Sequence, residues 1–157
     1  MPESAEFMRE AIEYSRLKMH VRGAAPFAAV IVKNGKVVGK GVNQVVAKHD
    51  CTSHGEIEAI RDAGNNLGTW DLSGCELYTT CEPCELCVAA MHWARIEKVY
   101  YANTLQDCEP MGLDLDGLRK AVRNDIHNRD MPAEQLLHEE AFSVLDEWVK
   151  SPGFEGF

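Results

Sequence analysis

Apolar positions recur at helical spacing between Ser4 and about His20. Phe7, Ala11, Ile12, Tyr14 and Leu17 share that spacing, and Ser4 stands where an N-cap belongs. The period then shortens. "PFAAVIVKNGKVVGKGVN" holds two β-rich runs, "FAAVIV" and "KVVGKGV", separated by Asn34-Gly35, a strong hairpin signal. "SHGEIEAIRDAG" returns to helical spacing and is expected to end at Gly64. "CELYTT" reads as a third strand, "CEPCELCVAAMHWARI" as a helix with Pro83 near its start, and "KVYYAN" as a fourth strand. "TLQDCEPMGLD" reads as a loop, residues 116–122 and 132–150 as helices, and "SPGFEGF" as a short aromatic tail. Helices alternating with strands after a hairpin predict a layered α/β domain with a mixed sheet. With no internal repeat or linker, residues 1–157 are expected to form a single domain.

Composition narrows the setting. A chain of 157 residues that is 45% hydrophobic can bury a proper core. No apolar run approaches the length of a membrane span, and "MPESAEFMRE" is too polar and acidic for a secretory signal, so a cytoplasmic protein without a membrane partner is expected. The formal net charge of −9 lacks the basic footprint of a nucleic-acid binder and favours a small neutral partner. The six cysteines, in such a chain, point to metal or redox chemistry before disulfides.

That chemistry concentrates in "TTCEPCELC". Cys84 and Cys87 sit three apart at the first turn of a predicted helix, an end that favours thiolates. Two thiolates plus one neutral imidazole make a three-ligand zinc set with an open position, as catalytic zinc sites have. A closed structural site would recruit Cys81 or Cys51 as a fourth ligand, and a redox pair would leave His54 and Glu56 in "CTSHGEIEAI" without a role. If His54 is the imidazole ligand, Glu56 two positions on can face the open position. Zinc brings the pKa of bound water towards neutrality, and a neighbouring carboxylate can carry the proton to a leaving amine. The remaining histidines read as surface or half-buried groups, and Gly35, Gly39 and Gly41 as hairpin residues rather than a phosphate loop.

The pairing of H-x-E at His54 and Glu56 with P-C-x-x-C at Pro83, Cys84 and Cys87 resembles the signature of the zinc nucleobase deaminases. From the first helix through the last predicted strand the chain is similar to the cytidine deaminase-like superfamily. Within it, "TTCEPC", "WAR" (Trp93 to Arg95), Gly112-Leu113-Asp114 and "PAEQ" (Pro132 to Gln135) look most like bacterial guanine deaminases. The resemblance implies a three-layer α/β/α sandwich with a mixed central sheet. It implies one Zn2+ per chain on His54, Cys84 and Cys87, Glu56 as the catalytic proton carrier, and a homodimer. Asn43 is implied as a contact to the base, against the plainer reading of a strand-end residue bonding the backbone. Asp114 is implied as a substrate contact or proton shuttle, against an equal reading as a helix N-cap. Trp93 is a candidate pocket residue against a core or interface role. Phe154 and Phe157, in a C-terminal helix and tail (about 132–157) expected near the active site, are candidates for stacking on a base, against ordinary packing.

The expected activity is hydrolysis of guanine to xanthine and ammonia, in purine metabolism. Gly55, where guanine deaminases usually carry alanine, matches the His-Gly-Glu form of the fungal-type cytosine deaminases and keeps cytosine or isocytosine open as the substrate. Deamination of adenosine in transfer RNA shares the motif but needs Lys/Arg contacts to phosphate that an acidic chain does not advertise. A non-catalytic zinc-binding module is the rival from another class.

Overall fold

The computed structural model describes residues 2–156 of the chain. Helix α1 (Pro2–Lys18) leads into β1 (Ala25–Lys33) and β2 (Lys36–Asn43). The reversal between these strands uses Asn34 and Gly35, both at positive φ (51° and 72°), as the two-residue turn that matches strand twist requires. A short helix α2 (Val45–Lys48) precedes α3 (Gly55–Leu67), then β3 (Cys75–Cys81), α4 (Glu85–Trp93) and β4 (Lys98–Asn103). A 3-10 turn (Gln106–Met111), α5 (Leu115–Arg123), a second 3-10 turn (Ile126–Asn128) and α6 (His138–Val149) complete the order.

The strands form one sheet in the order β2-β1-β3-β4. β1 pairs antiparallel with both β2 and β3, whereas β3 and β4 run parallel, so the sheet is mixed as expected. Side chains of β1 alternate between two cores. Val30 and Val32 pack with Ala11 of α1 and Tyr78, while Ala29 and Ile31 pack with Ala59 and Ala63 of α3 and with Leu77, Met91 and Ala94. One helix on one face and two on the other give the three-layer α/β/α arrangement.

Glycines set how closely α3 approaches the hairpin. A Cβ at Gly39 would lie 2.6 Å from the Ala59 carbonyl, and one at Gly41 would run into the backbone of Ala59 and the Gly55 carbonyl. Gly39 and Gly41, which read as hairpin residues in the sequence, are therefore also a contact surface for a helix.

Several boundaries differ from expectation, each for a local reason. α3 continues through Gly64 to Leu67 and stops at Gly68, whose φ of +68° closes the C-cap. The stretch expected as a plain loop after β4 winds into a 3-10 turn. α6 starts at His138 rather than 132, because Leu137 sits in the left-handed region (φ +52°) and breaks any helix running through it. The chain divides into two compact units at Leu118/Arg119. In the second unit Phe154 packs edge-on against Trp148 with ring centroids 4.9 Å apart. Among the described residues no helix is long and apolar enough to cross a membrane.

Gly41→Ala is expected to destabilise the protein by about 1–3 kcal/mol through overpacking. Urea denaturation should show a lowered midpoint, while Gly153→Ala, where nothing lies within 4 Å of the added carbon, leaves it unchanged.

Candidate active site

Both halves of the motif sit where a helix begins. His54 is the N-cap of α3 (φ −75°, ψ 159°) and Cys84 the N-cap of α4 (φ −73°, ψ 172°); neither side chain makes a capping hydrogen bond. Their carbonyls accept the first helical bonds, from Glu58 N–H and Val88 N–H, both at 2.9 Å. The backbone of each thus starts a helix normally, and the side chain, which would ordinarily cap it, is directed elsewhere. Cys87, in the first turn of α4, lies on the same side as Cys84.

The two helix ends face each other. His54 Nδ1 is 3.5 Å from both Cys84 Sγ and Cys87 Sγ, and the two sulfurs are 3.8 Å apart. A tetrahedral zinc with ordinary Zn–S and Zn–N bond lengths has N···S edges of about 3.6 Å and an S···S edge of about 3.8 Å. The three donors therefore already stand on one face of such a tetrahedron. They are the cluster of His, Cys, Asp and Glu able to hold a metal among the described residues. Cys51 is exposed, and Cys81 instead places its sulfur 3.0 Å from that of Cys108. Burial pushes the Cys81 thiol up to about 12. Neither Cys51 nor Cys81 belongs to the group of donors that lie within 4.8 Å of one another.

The electrostatics of the cluster point the same way. Donation from the Cys87 thiol, helped by His54, pulls Cys84 down to about 4 against the effect of burial. The same hydrogen bond, with burial, holds Cys87 well above the usual thiol range. Without a cation the pair carries one negative charge; a bound dication ionises both sulfurs. Glu56, only 6% exposed, has Oε2 3.4 Å from Cys87 Sγ and Oε1 3.2 Å from Thr79 Oγ1. Burial raises its carboxyl pKa, which suits a group that must hold and release a proton.

These groups line a cavity of about 290 Å³, walled also by Phe27, Asn43, Glu82, Leu105, Leu113, Asp114 and Leu118. Asn43 ends β2, and its Oδ1 accepts from Val45 N–H at 3.3 Å, which leaves its NH2 to serve another acceptor. Asp114 accepts from Gly117 N–H at 2.9 Å, so the same carboxylate caps α5 and lines the cavity. Trp93 does not line it. That side chain is 63% exposed on α4, edge-on to His92. Phe154 lies in the second unit, and Phe157 is outside the described residues. Asn43 and Asp114 were candidates from the sequence, whereas Phe27, Glu82, Leu105 and Leu118 were not. Glu82 stood inside the recognised "TTCEPC" and could have been singled out. It accepts a hydrogen bond from Leu105 N–H at 3.0 Å and so fastens the loop after β4 to the metal-ligand turn. Phe27, Leu105 and Leu118 carried no signal, being apolar residues from three separate segments.

Gly55 has a packing reason. Its missing Cβ leaves room for the Phe27 carbonyl of β1, which a side chain there would strike. The glycine lets the N-terminus of α3, with His54 and Glu56, sit directly on the sheet.

Residues 1–103 match the family described as the cytidine and deoxycytidylate deaminase zinc-binding region. Guanine deaminase of Bacillus subtilis is 35% identical over 142 residues, covering 90% of this chain and 91% of that one. The crystal structure of a guanine deaminase from Bacillus subtilis superposes with a TM-score of 0.91 at 33% identity, covering 98% of both chains. A tRNA-specific adenosine deaminase of Agrobacterium fabrum is 40% identical over 151 residues, 96% of each chain.

X-ray absorption at the zinc edge is expected to show two sulfurs and two lighter N/O neighbours. Cys84→Ala should reduce zinc retained after dialysis at least about tenfold, with the metal content read by emission spectrometry. The donor geometry fits zinc, and the match spans most of the first unit: the chain belongs to the cytidine and deoxycytidylate deaminase family, zinc-binding hydrolases of C–N bonds.

Proposed function

We propose that this protein is a hydrolytic deaminase of a free nucleobase, foremost guanine, which it converts with water to xanthine and ammonia. The observation that carries this reading is the buried Glu56 carboxylate beside the three-donor cluster on the wall of a small cavity. Likeness to guanine deaminase along nearly the whole chain favours guanine among the bases.

Zinc on His54, Cys84 and Cys87 supplies, when bound, water acidic enough to be a nucleophile near neutral pH. The chain's own residues do the rest. Glu56 accepts one proton from the attacking water and delivers it to a ring nitrogen. As the C–N bond breaks, the same carboxylate takes the second proton from the added hydroxyl, which becomes the carbonyl, and gives it to the departing amine, which leaves as ammonia. Asn43 offers its NH2 to an acceptor on the base, and Asp114, which lines the cavity, can meet an N–H of the base. Leu105, Leu113 and Phe27 give the apolar surface that a flat heterocycle covers. The volume suits a base rather than a larger ligand, sitting at the lower end of small-molecule sites.

Cytosine or isocytosine rested on Gly55, and its contact with the Phe27 carbonyl gives that glycine a structural reason unconnected with substrate. The Agrobacterium relative keeps transfer RNA adenosine as the second reading. A purely structural zinc would gain nothing from burying a carboxylate next to two sulfurs, an arrangement that costs desolvation. We further place the protein in the cytoplasm, in purine metabolism, acting as a homodimer. The exposed Val88 and Trp93 on α4 offer apolar surface for a second copy, and free cysteines suit a reducing compartment.

Ammonia release by the zinc-loaded protein across guanine, cytosine, isocytosine, adenine and their nucleosides tests this. Guanine should be turned over, and Glu56→Ala should lower kcat by about 10²–10⁴ with zinc retained. Full activity in the Glu56 variant would refute the mechanism. Activity confined to a transfer RNA substrate would replace the substrate class.

A further inference from the structure

β3 directs Cys75, Leu77 and Thr79 to the face that α3 covers, since side chains alternate along a strand. The first two are core residues packed among Ala59, Ala63 and Met91. Thr79 is equally buried, at 1% exposed, yet polar. Its hydroxyl has one hydrogen and two oxygen neighbours, the Cys81 carbonyl at 3.0 Å and Glu56 Oε1 at 3.2 Å. The carbonyl alone would satisfy it. The second contact falls on the Glu56 carboxylate.

The terminal torsion of a glutamate is broad and roughly two-fold, so burial alone does not fix which way the carboxylate plane lies. Thr79 takes hold of one oxygen on the sheet side. That leaves Oε2 on the opposite side, 3.4 Å from Cys87 Sγ and turned towards the metal ligands. A hydroxyl can donate to an ionised carboxylate or accept from a protonated one, so it keeps its grip through a proton-carrying cycle.

We propose that Thr79 is a positioning residue for Glu56: it anchors Oε1 from β3 so that Oε2 addresses the His54, Cys84 and Cys87 cluster. The inference rests on the deaminase reading of the site.

Thr79→Val keeps the side chain's shape and removes the hydroxyl. Steady-state kinetics on guanine should show kcat reduced roughly 10- to 100-fold, as small misplacements of a catalytic group do, with KM changed less than about threefold and zinc content unaltered. Thr79→Ser and Thr79→Ala lose the same methyl, and only Ser keeps the hydroxyl; Ser should recover kcat while Ala resembles Val. That pair decides the matter if the Val protein does not fold. A crystal structure of a zinc-loaded variant without the hydroxyl should show the Glu56 carboxylate rotated about its last torsion. Retained kcat in Val, Ser no better than Ala, or an unmoved carboxylate would each overturn the proposal. If the wild-type protein releases no ammonia from guanine, the substrate reading fails, while the carboxylate's position still judges Thr79.

Discussion

Two helix N-termini must meet for this site to exist. His54 and Cys84 are thirty positions apart, and each occupies the N-cap position of its own helix, so their separation depends on how α3 and α4 seat against one sheet. At Gly39 and Gly41 an added Cβ would meet the backbone of α3, and at Gly55 it would meet the Phe27 carbonyl of β1, so the three glycines seat α3 closely on β1 and β2. The turn from β3 into α4 supplies the opposing end, with Glu82 fastening it to the next loop. Helix starts are good places for thiolates, because unpaired N–H groups point at them. They do not suffice for two sulfurs and a buried carboxylate together. Three potential negative charges within a few ångströms require a multivalent cation or protons, and the cluster uses both. The donors are spaced for zinc, while burial keeps the Glu56 carboxyl willing to hold a proton.

Much of this was legible in the residues. The change from helical to alternating spacing and back marks the layers, and Asn34-Gly35 gives the hairpin because its φ values are open to few other pairs. His-x-Glu and Cys-x-x-Cys were informative because a zinc ligand set is short, specific and tied to helix starts. The rest depended on tertiary convergence. Phe27, Leu105 and Leu118 become one wall only when β1, the loop after β4 and α5 are in place, and no local pattern encodes that. Gly55 drew attention as a mark of substrate, and in this chain it also has a packing contact, since the Phe27 carbonyl against it is invisible in a one-dimensional reading. Trp93, an aromatic on the ligand helix, invited a place in the pocket. At 3.6 residues per turn it lies away from the face carrying Cys87 and Met91. Leu137 offered no warning either, because left-handed backbone at a leucine has no sequence signal.

Relatives named for different substrates each cover nearly all of this chain, so the extent of the match does not separate them. What must reach the cavity differs between the two. A nucleotide inside transfer RNA arrives with a phosphate backbone, and holding it takes several cations free to pair with phosphate. Several of the cations around the first helices of this protein have nearer partners: Lys48 and Arg61 both bind Glu58, Arg61 also approaches Asp50 at 3.6 Å, and Lys40 pairs with Glu10. Arg95 is held by Asp71 at 2.7 Å and lies over the Trp70 ring. Releasing these pairs to phosphate would uncover carboxylates that repel the same backbone, in a chain already at −9. A neutral base needs none of them. It asks for a flat apolar slot, an amide donor and a proton-carrying carboxylate. The cavity is lined by Phe27, Leu105, Leu113, Asn43 and Glu56, and this is why we favour the free base.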